Sequence, residues 1–166
     1  MSVKQSLESF GNGVIKQSRT ILTKKDKNVS KKLYDSLSYN LKVSKNSFSL
    51  SFNMAEHGNF IDKGVKGSES SAKAPNSPYK YKDKMPPLKA LDSWVVKRGL
   101  AGRNKKGQFV SRESLKFAIA KSIQTKGIET TNFFTKPFEN EFKKLPDELV
   151  EAFGLEVDNF LKYTLK

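Results

Sequence analysis

Alternation of apolar and polar residues with a period of two constrains this chain more than any other feature. Two alternating runs lie between residues 38 and 54, and Lys45-Asn46 between them suits a tight connection. Their apolar members are Tyr39, Leu41, Val43, Phe48, Leu50 and Phe52. The pattern predicts an antiparallel β-hairpin. Because an isolated hairpin is only marginally stable, we expect its apolar face to pack on the first and last helices.

Apolar residues with helical spacing occur before and after the hairpin in the sequence. A first amphipathic helix is predicted from Val3 to Ile21, kinked or ended early at Gly11 and Gly13, because each glycine costs about 1 kcal/mol relative to Ala in a helix interior. A short helix capped by Ser30 follows. Three later helices are predicted from Pro87 to Gly99, from Arg112 to Gly127, and from Pro146 to the C-terminus. On the second of these, one face carries Leu115, Ala118, Ile119, Ser122 and Ile123.

Two further stretches complete the predicted organisation. In Asn59–Gly67, Phe60 and Ile61 favour burial, while Gly64 and Gly67 permit a positive φ, which is typical of a rigid turn at the edge of a core. Residues 68–87 are rich in Ser, Pro and Lys and have little to bury, so we expect a projecting loop. The sequence therefore predicts a single α+β domain over residues 1–166. Its order is an N-terminal helix, a hairpin or small antiparallel sheet, a long basic loop, and three helices packed on the sheet.

Composition excludes several classes of site. There is no Cys, and the one His is His57, which excludes disulfides, thiolate metal sites, Cys nucleophiles and sites built from several His residues. No apolar run approaches the length of a membrane span, so no membrane partner is expected. We expect no metal and no cofactor.

Positive charge is concentrated in the first two thirds of the chain. The net charge is +14, and residues 112–166 carry nine basic and nine acidic side chains, so the excess lies before residue 112. Such a distribution favours an anionic partner, either a nucleic acid or the acidic face of another protein.

Three patterns resemble catalytic motifs, but they are better explained as surface residues without a catalytic role. His57 follows Glu56, but neighbours in sequence rarely point at one site. Glu141 and Lys143 have the spacing of half a nuclease site, and such two-residue patterns arise by chance. The basic turn over residues 102–107 lacks the Ser or Thr and the buried strand of a phosphate-binding loop. We therefore expect no enzyme activity and no catalytic residue.

Aromatic and basic side chains alternate in two stretches of the middle of the chain. They are Tyr79, Lys80, Tyr81, Lys82, Lys84, Arg103, Lys105, Lys106 and Phe109. Such a set suits a stacking platform with phosphate contacts. The alternative is that the aromatic residues anchor a loop onto the domain or a neighbouring subunit, since Tyr and Arg are also enriched at protein interfaces. The set is thus a candidate surface for a protein interface or for DNA.

Three short stretches, residues 30–37, 60–64 and 132–138, in this order, resemble motifs of the tail-completion or head-tail joining (neck) proteins of long-tailed bacteriophages. Residues 30–37, Ser-Lys-Lys-Leu-Tyr-Asp-Ser-Leu, resemble a motif of the form T-G-x-L-x-x-S-I. Phe60-Ile61-Asp62-Lys63-Gly64 resembles F-V-[ED]-x-G, and residues 132–138, which include Phe133, Phe134, Pro137 and Phe138, resemble P-F-[FL]-x-P-A. Together the three stretches contain 20 of the 166 residues.

The resemblance implies a structural virion protein that acts by assembly and not by chemistry. It implies an oligomeric ring in the neck or head-tail connector, assembled in the host cytoplasm, with portal or adaptor and tail proteins as partners. The stretch Phe60, Ile61, Asp62, Gly64 and Gly67 would be an assembly turn. A non-specific contact with genomic DNA is left open. The alternative is a sequence-independent nucleic-acid-binding protein that coats or packages DNA.

Overall fold

The chain has an α+β fold, as the sequence predicts. A computed structural model describes residues 2–28 and 30–165, which form eight helices and four strands. In chain order these are α1 (Val3–Lys24), α2 (Lys32–Ser36), β1 (Ser38–Val43), β2 (Phe48–Asn53), α3 (Gly58–Lys63), β3 (Val65–Lys66), α4 (Leu88–Lys97), α5 (Arg112–Lys126), β4 (Gly127–Ile128), α6 (Thr135–Phe142), α7 (Asp147–Ala152) and α8 (Val157–Thr164).

The chain divides into two compact units. Unit 1 comprises Met1–Gly58 and Asn132–Lys166, and unit 2 comprises Asn59–Thr131. The expectation that residues 1–166 form one domain stays a prediction.

The hairpin of unit 1 is confirmed. Strands β1 and β2 pair antiparallel, with Val43 opposite Phe48 beside the connection and Tyr39 opposite Phe52 near the open end. As expected, α1 contacts β1 and α8 contacts β2. The core is an aromatic cluster in which the ring of Phe10 lies 5.1 Å from that of Phe138, and the ring of Phe52 lies 5.3 Å from that of Phe134. Burial of these rings holds the helices on the hairpin.

Helix α1 is longer and more regular than the sequence predicts. It begins with a capping box between Ser2 and Gln5 and continues through both glycines to Lys24. The reason lies in what the glycines face: a Cβ on Gly11 would come within 2.8 Å of the Tyr39 ring, and one on Gly13 would collide with the Glu141 carboxylate. Each glycine therefore allows a different side chain to pack closely against α1, and the helix does not end there.

Other elements of unit 1 also differ from expectation. The residue before α2 is Lys31, in the left-handed region at φ 55°, and the Ser30 hydroxyl accepts only a long 3.4 Å hydrogen bond from the Lys32 amide. The last predicted helix is divided into α7 and α8, because Gly154 at φ 58° ends the first of them. Helix α6 was not predicted.

Unit 2 is built on a short ladder. Strand β3 pairs antiparallel with β4, and Lys80 adds a parallel bridge beside Lys66. The loop after β3 does not project throughout: Ala74 and Ser77 are buried, and the Ser77 hydroxyl donates to the Gly64 carbonyl at 2.7 Å. Hydrogen bonds hold this part of the segment, and the low number of apolar residues in the sequence gives no sign of them. Residues 82–84 remain exposed.

Helices α4 and α5 of unit 2 lie where the sequence predicts them, but the buried face of α5 is shifted. Its buried residues are Lys116, Ala120 and Gln124, spaced by four, and the predicted apolar residues lie beside them or outside. Lys116 bridges to Asp92 of α4 and to Glu113, each at 2.5 Å. The hydrogen bond to Asp92, and then that to Glu113, raises the pKa of Lys116.

Candidate interaction surfaces

The turn at Phe60–Gly67 is a short helix followed by a strand, and two glycines fix its path. Gly64 has φ 73°, as predicted, and its Cα faces the Ile128 carbonyl and the Thr130 amide. Gly67 lies against the Thr125 carbonyl, so a Cβ there would overlap the backbone. Asp62 is buried. The turn is therefore held inside unit 2 by its own backbone contacts.

Phe60 is more exposed than the sequence predicts. The side chain is 43% exposed, and its ring packs on Tyr79 with the centroids 4.6 Å apart. Ile61 is half-buried, and its carbonyl accepts hydrogen bonds from the backbone amide and the hydroxyl of Thr131. Phe60 thus adds to the surface of unit 2 as well as to its packing.

Tyr79 and Tyr81 anchor the basic segment onto the ladder of unit 2. The Lys66 amide donates to the Tyr79 carbonyl, and the Tyr81 amide donates to the Lys66 carbonyl, each at 2.9 Å. Both tyrosine side chains are half-buried, and burial raises the pKa of the Tyr81 phenol. This arrangement matches the anchoring alternative for the two aromatic residues. The side chains of Lys80, Lys82 and Lys84 remain exposed around them.

The second basic stretch is a structured turn over residues 102–110. Arg103 and Phe109 form an antiparallel bridge, and the Arg103 guanidinium lies 4.0 Å from the centre of the Phe109 ring. The Asn104 side-chain carbonyl accepts hydrogen bonds from the backbone amides of Lys106 and Gln108. Phe109 is 67% exposed. The turn therefore presents an open aromatic ring among fixed positive charges.

The two basic stretches lie at different places on unit 2. Leu115, at the start of α5, faces Gly102, whereas Gln124, near the end of α5, donates to the Lys82 carbonyl at 2.8 Å. Leu115 and Gln124 are nine positions apart on the helix, which is about 14 Å along the axis. The structure therefore divides the predicted aromatic and basic set into two surfaces.

The late motif forms part of the core of unit 1. Phe133, Phe134, Pro137 and Phe138 are all buried. Phe134 and Phe138 contact Phe52 of the hairpin, with ring centroids 5.3 and 6.0 Å apart. These residues fix α6 on the sheet, so their direct role is packing.

A buried carboxylate in unit 1 was missed as a structural residue. Glu141 is 7% exposed, accepts a hydrogen bond from the Gln17 side chain, and pairs with the Lys144 ammonium at 2.8 Å. Lys143, its supposed partner in a half nuclease site, is exposed. The glycine at position 13 of the facing helix was the available signal, because only a residue without a side chain leaves room for the carboxylate there.

His57 lies on the surface of unit 1. Partial burial, and then the positive charge of Lys32, lowers the pKa of the imidazole. The neutral form is therefore favoured near neutral pH.

Metal-binding groups and membrane-spanning helices were both searched for among the described residues. Among residues 2–28 and 30–165, no group of three or more His, Asp or Glu side chains could hold a metal ion. In the same residues, no helix is both long and apolar enough to cross a membrane. Comparison with protein-family models, with curated proteins and with solved structures finds no match to this chain.

Proposed function

We propose that this chain is a structural virion protein, a ring-forming subunit of the phage neck, head-tail connector or tail-completion complex. Its partners would be copies of itself and the portal, adaptor and tail proteins of the virion. The motif resemblance first suggests this function. Several residues of the motifs also have a structural role in this chain, as buried apolar residues or as a left-handed glycine. Leu33, Leu37 and Phe134 are buried, and Gly64 is left-handed.

The observation that carries the proposal is the large apolar side chains exposed on unit 2. Of the eight large hydrophobic side chains that the described part of the chain exposes, five belong to this unit. They are Phe60, Val96, Leu100, Phe109 and Phe117. Aromatic side chains are enriched at protein interfaces, so the exposed rings of Phe60, Phe109 and Phe117 favour a protein partner that covers them. Aromatic residues with neighbouring Arg are also the residues that contribute most to binding at interfaces.

The test replaces the two most exposed aromatic residues of unit 2 in one chain. Phe109→Ala with Phe117→Ala should strongly reduce incorporation into virions and rings, while the melting temperature stays within a few degrees, because both side chains are exposed. The matched control is Phe109→Leu with Phe117→Leu, which keeps apolar area and removes the rings. Leucine should retain much of the assembly at a protein interface. Normal assembly of the alanine variant would contradict the proposal.

Sequence-independent binding to nucleic acid is the second candidate. Unit 2 carries 16 Lys and Arg against six Asp and Glu, a net charge of +10, whereas unit 1 carries 15 against 11, a net charge of +4. The turn over residues 102–110 adds an exposed ring beside Arg103. Charge of this density attracts phosphate backbones without reading sequence.

A further inference from the structure

Unit 1 has an open groove along α1, and among its lining residues only Tyr34 and Leu37 belong to one of the motifs. It has a volume of about 890 Å³, and its walls come from the second half of α1, from α2 and from β1. Three of its lining residues are basic, Lys16, Arg19 and Lys24, and none is acidic. Tyr34 and Tyr39 give the groove an aromatic floor.

The charges of this groove are not neutralised by unit 1. In the described part of the chain, no carboxylate forms an ion pair with Lys16, Lys24 or Arg19. The Arg19 guanidinium donates instead to the carbonyls of Tyr34 and Leu37, at 3.2 and 3.1 Å, and lies over the Tyr34 ring. These contacts hold Arg19 in place without cancelling its charge. The groove is thus preorganised for an anionic partner.

The same unit carries a surface of opposite charge. Residues 145–161 contain five acidic side chains and no Lys or Arg. The five are Asp147, Glu148, Glu151, Glu156 and Asp158, all exposed. Among the described residues, none of them has an ion-pair partner. We refer to this part of α7 and α8 as the acidic surface.

The groove and the acidic surface lie at opposite ends of the hairpin. Ser38 and Tyr39, at the open end, line the groove. Phe153, between α7 and α8, packs on Phe48 beside the connection, with the rings 5.0 Å apart. Val43, the partner of Phe48, lies five positions after Ser38 on β1, which is about 17 Å along the strand. The two surfaces are therefore separated along the hairpin and are available to different neighbours.

We propose that the groove of one copy of this chain receives the acidic surface, α7 and the start of α8, of the next copy. A contact between two different patches is heterologous, and its repetition gives a closed ring when the rotation between copies allows closure. The inference rests on the proposed ring assembly and adds which surfaces meet. A protein partner fits the groove better than DNA does, because the complementary charges lie on the same chain.

The test uses charge reversal on each surface of the full chain. Lys16→Glu with Lys24→Glu changes the groove, Glu148→Lys with Glu151→Lys changes the acidic surface, and all four side chains are exposed. Lys73→Glu with Lys89→Glu, two exposed lysines of unit 2 that belong to neither surface, is the matched control. Native mass spectrometry and light scattering measure oligomeric size. Each surface variant should raise the dissociation constant of the oligomer by about 10²-fold or more, and the control should not.

Mixing the two surface variants gives the decisive result. The mixture restores attraction at both kinds of contact, so oligomers should return, and their return also shows that both variants are folded. Wild-type oligomer size in the groove variant, or a mixture that stays monomeric, would overturn the inference, as would a wild-type chain that remains monomeric. A groove variant that loses duplex binding but keeps its oligomeric size would assign the groove to nucleic acid.

Virion incorporation separates the two proposals: normal incorporation of both surface variants removes this inference and leaves the proposed function intact.

Discussion

Single glycines in unit 2 show how a residue can be required for two different physical reasons. Gly64 needs a positive φ, which the turn residues around it indicate. Gly67 has no such requirement, but the carbonyl of Thr125 occupies the space where a Cβ would stand. The first reason is local and readable from sequence, whereas the second depends on the end of α5, about 60 residues later in the chain.

This difference predicts the effect of a single methyl group. Gly67→Ala should lower the free energy of unfolding by about 1–3 kcal/mol, because the backbone of β3 has to move away from the end of α5. Urea denaturation of the purified chain measures it. Gly102→Ala is the control, since its Cβ would meet only the ends of the Val110 and Leu115 side chains. Equal losses for the two variants would show that the close contact at Gly67 is not important.

In unit 1, too, the contacts of single side chains with residues distant in sequence could not be predicted. Helix α1 passes through Gly11 and Gly13 because Tyr39 and Glu141 occupy the space beside them, and neither partner is near in sequence. The Glu141 side chain looked like part of a surface pattern, yet Gln17 and Lys144 satisfy it in the interior. Long-range packing of this kind leaves no local pattern, so sequence periodicity alone underestimates the helix.

At the scale of elements, the spacing of apolar residues and the position of helix-ending glycines predict helices and strands where the sequence signal is local. The hairpin, α4 and α5 lie where alternation, helical spacing and helix-ending glycines predict them. Helix α6 was missed because Phe133 and Phe134 are adjacent and Pro137 lies in its first turn, which hides the helical period. The buried face of α5 was misplaced because two of its three buried residues, Lys116 and Gln124, are polar and are satisfied by partners on other segments.

Packing of the hairpin gives a prediction at this scale. Leu50 is buried on β2, opposite Leu41, so Leu50→Ala should cost about 2–5 kcal/mol of unfolding free energy through lost apolar contacts and a cavity. Chemical denaturation measures the change. Val43→Ala on β1 is the control, because Val43 is 39% exposed and should cost less than about 1 kcal/mol. No loss of stability in the Leu50 variant would be incompatible with the observed packing.

For the whole molecule, the distribution of charge matters more than its total. Unit 2 carries a net charge of +10, and its basic side chains surround two separate places, residues 79–84 and the turn over residues 102–110. Unit 1 is nearly balanced but divided, with a basic groove and an acidic surface. We propose that the opposite charges of unit 1 contribute to assembly by pairing between copies, and that the charge exposed on unit 2 attracts an anionic partner, either another protein or a nucleic acid. These roles predict different results when the basic residues are neutralised.

Neutralising the two basic surfaces of unit 2 separates assembly from DNA binding. One variant replaces Lys80, Lys82 and Lys84 with Gln, and a second replaces Arg103, Lys105 and Lys106 with Gln. We expect both to reduce incorporation into virions or rings, and the second more strongly, because Arg103 also supports the exposed Phe109 ring. Replacing Lys42, Lys45 and Lys162 of unit 1 with Gln is the control of equal charge.

Duplex DNA binding across a salt series decides between the two functions. We expect the wild-type chain to bind weakly, with a Kd on the order of 10⁻⁴–10⁻⁶ M at physiological salt, and each lost phosphate contact to reduce the log-log slope by about 0.9. Sequence should not matter, because base-edge recognition needs an Arg, Asn and Gln cluster that no helix of the described residues presents. Tight, salt-steep binding that disappears in these variants while incorporation stays normal would favour the nucleic-acid-binding function. Loss of incorporation with little affinity to lose is the result that an assembly subunit predicts, because its positive surfaces then act on other proteins of the virion.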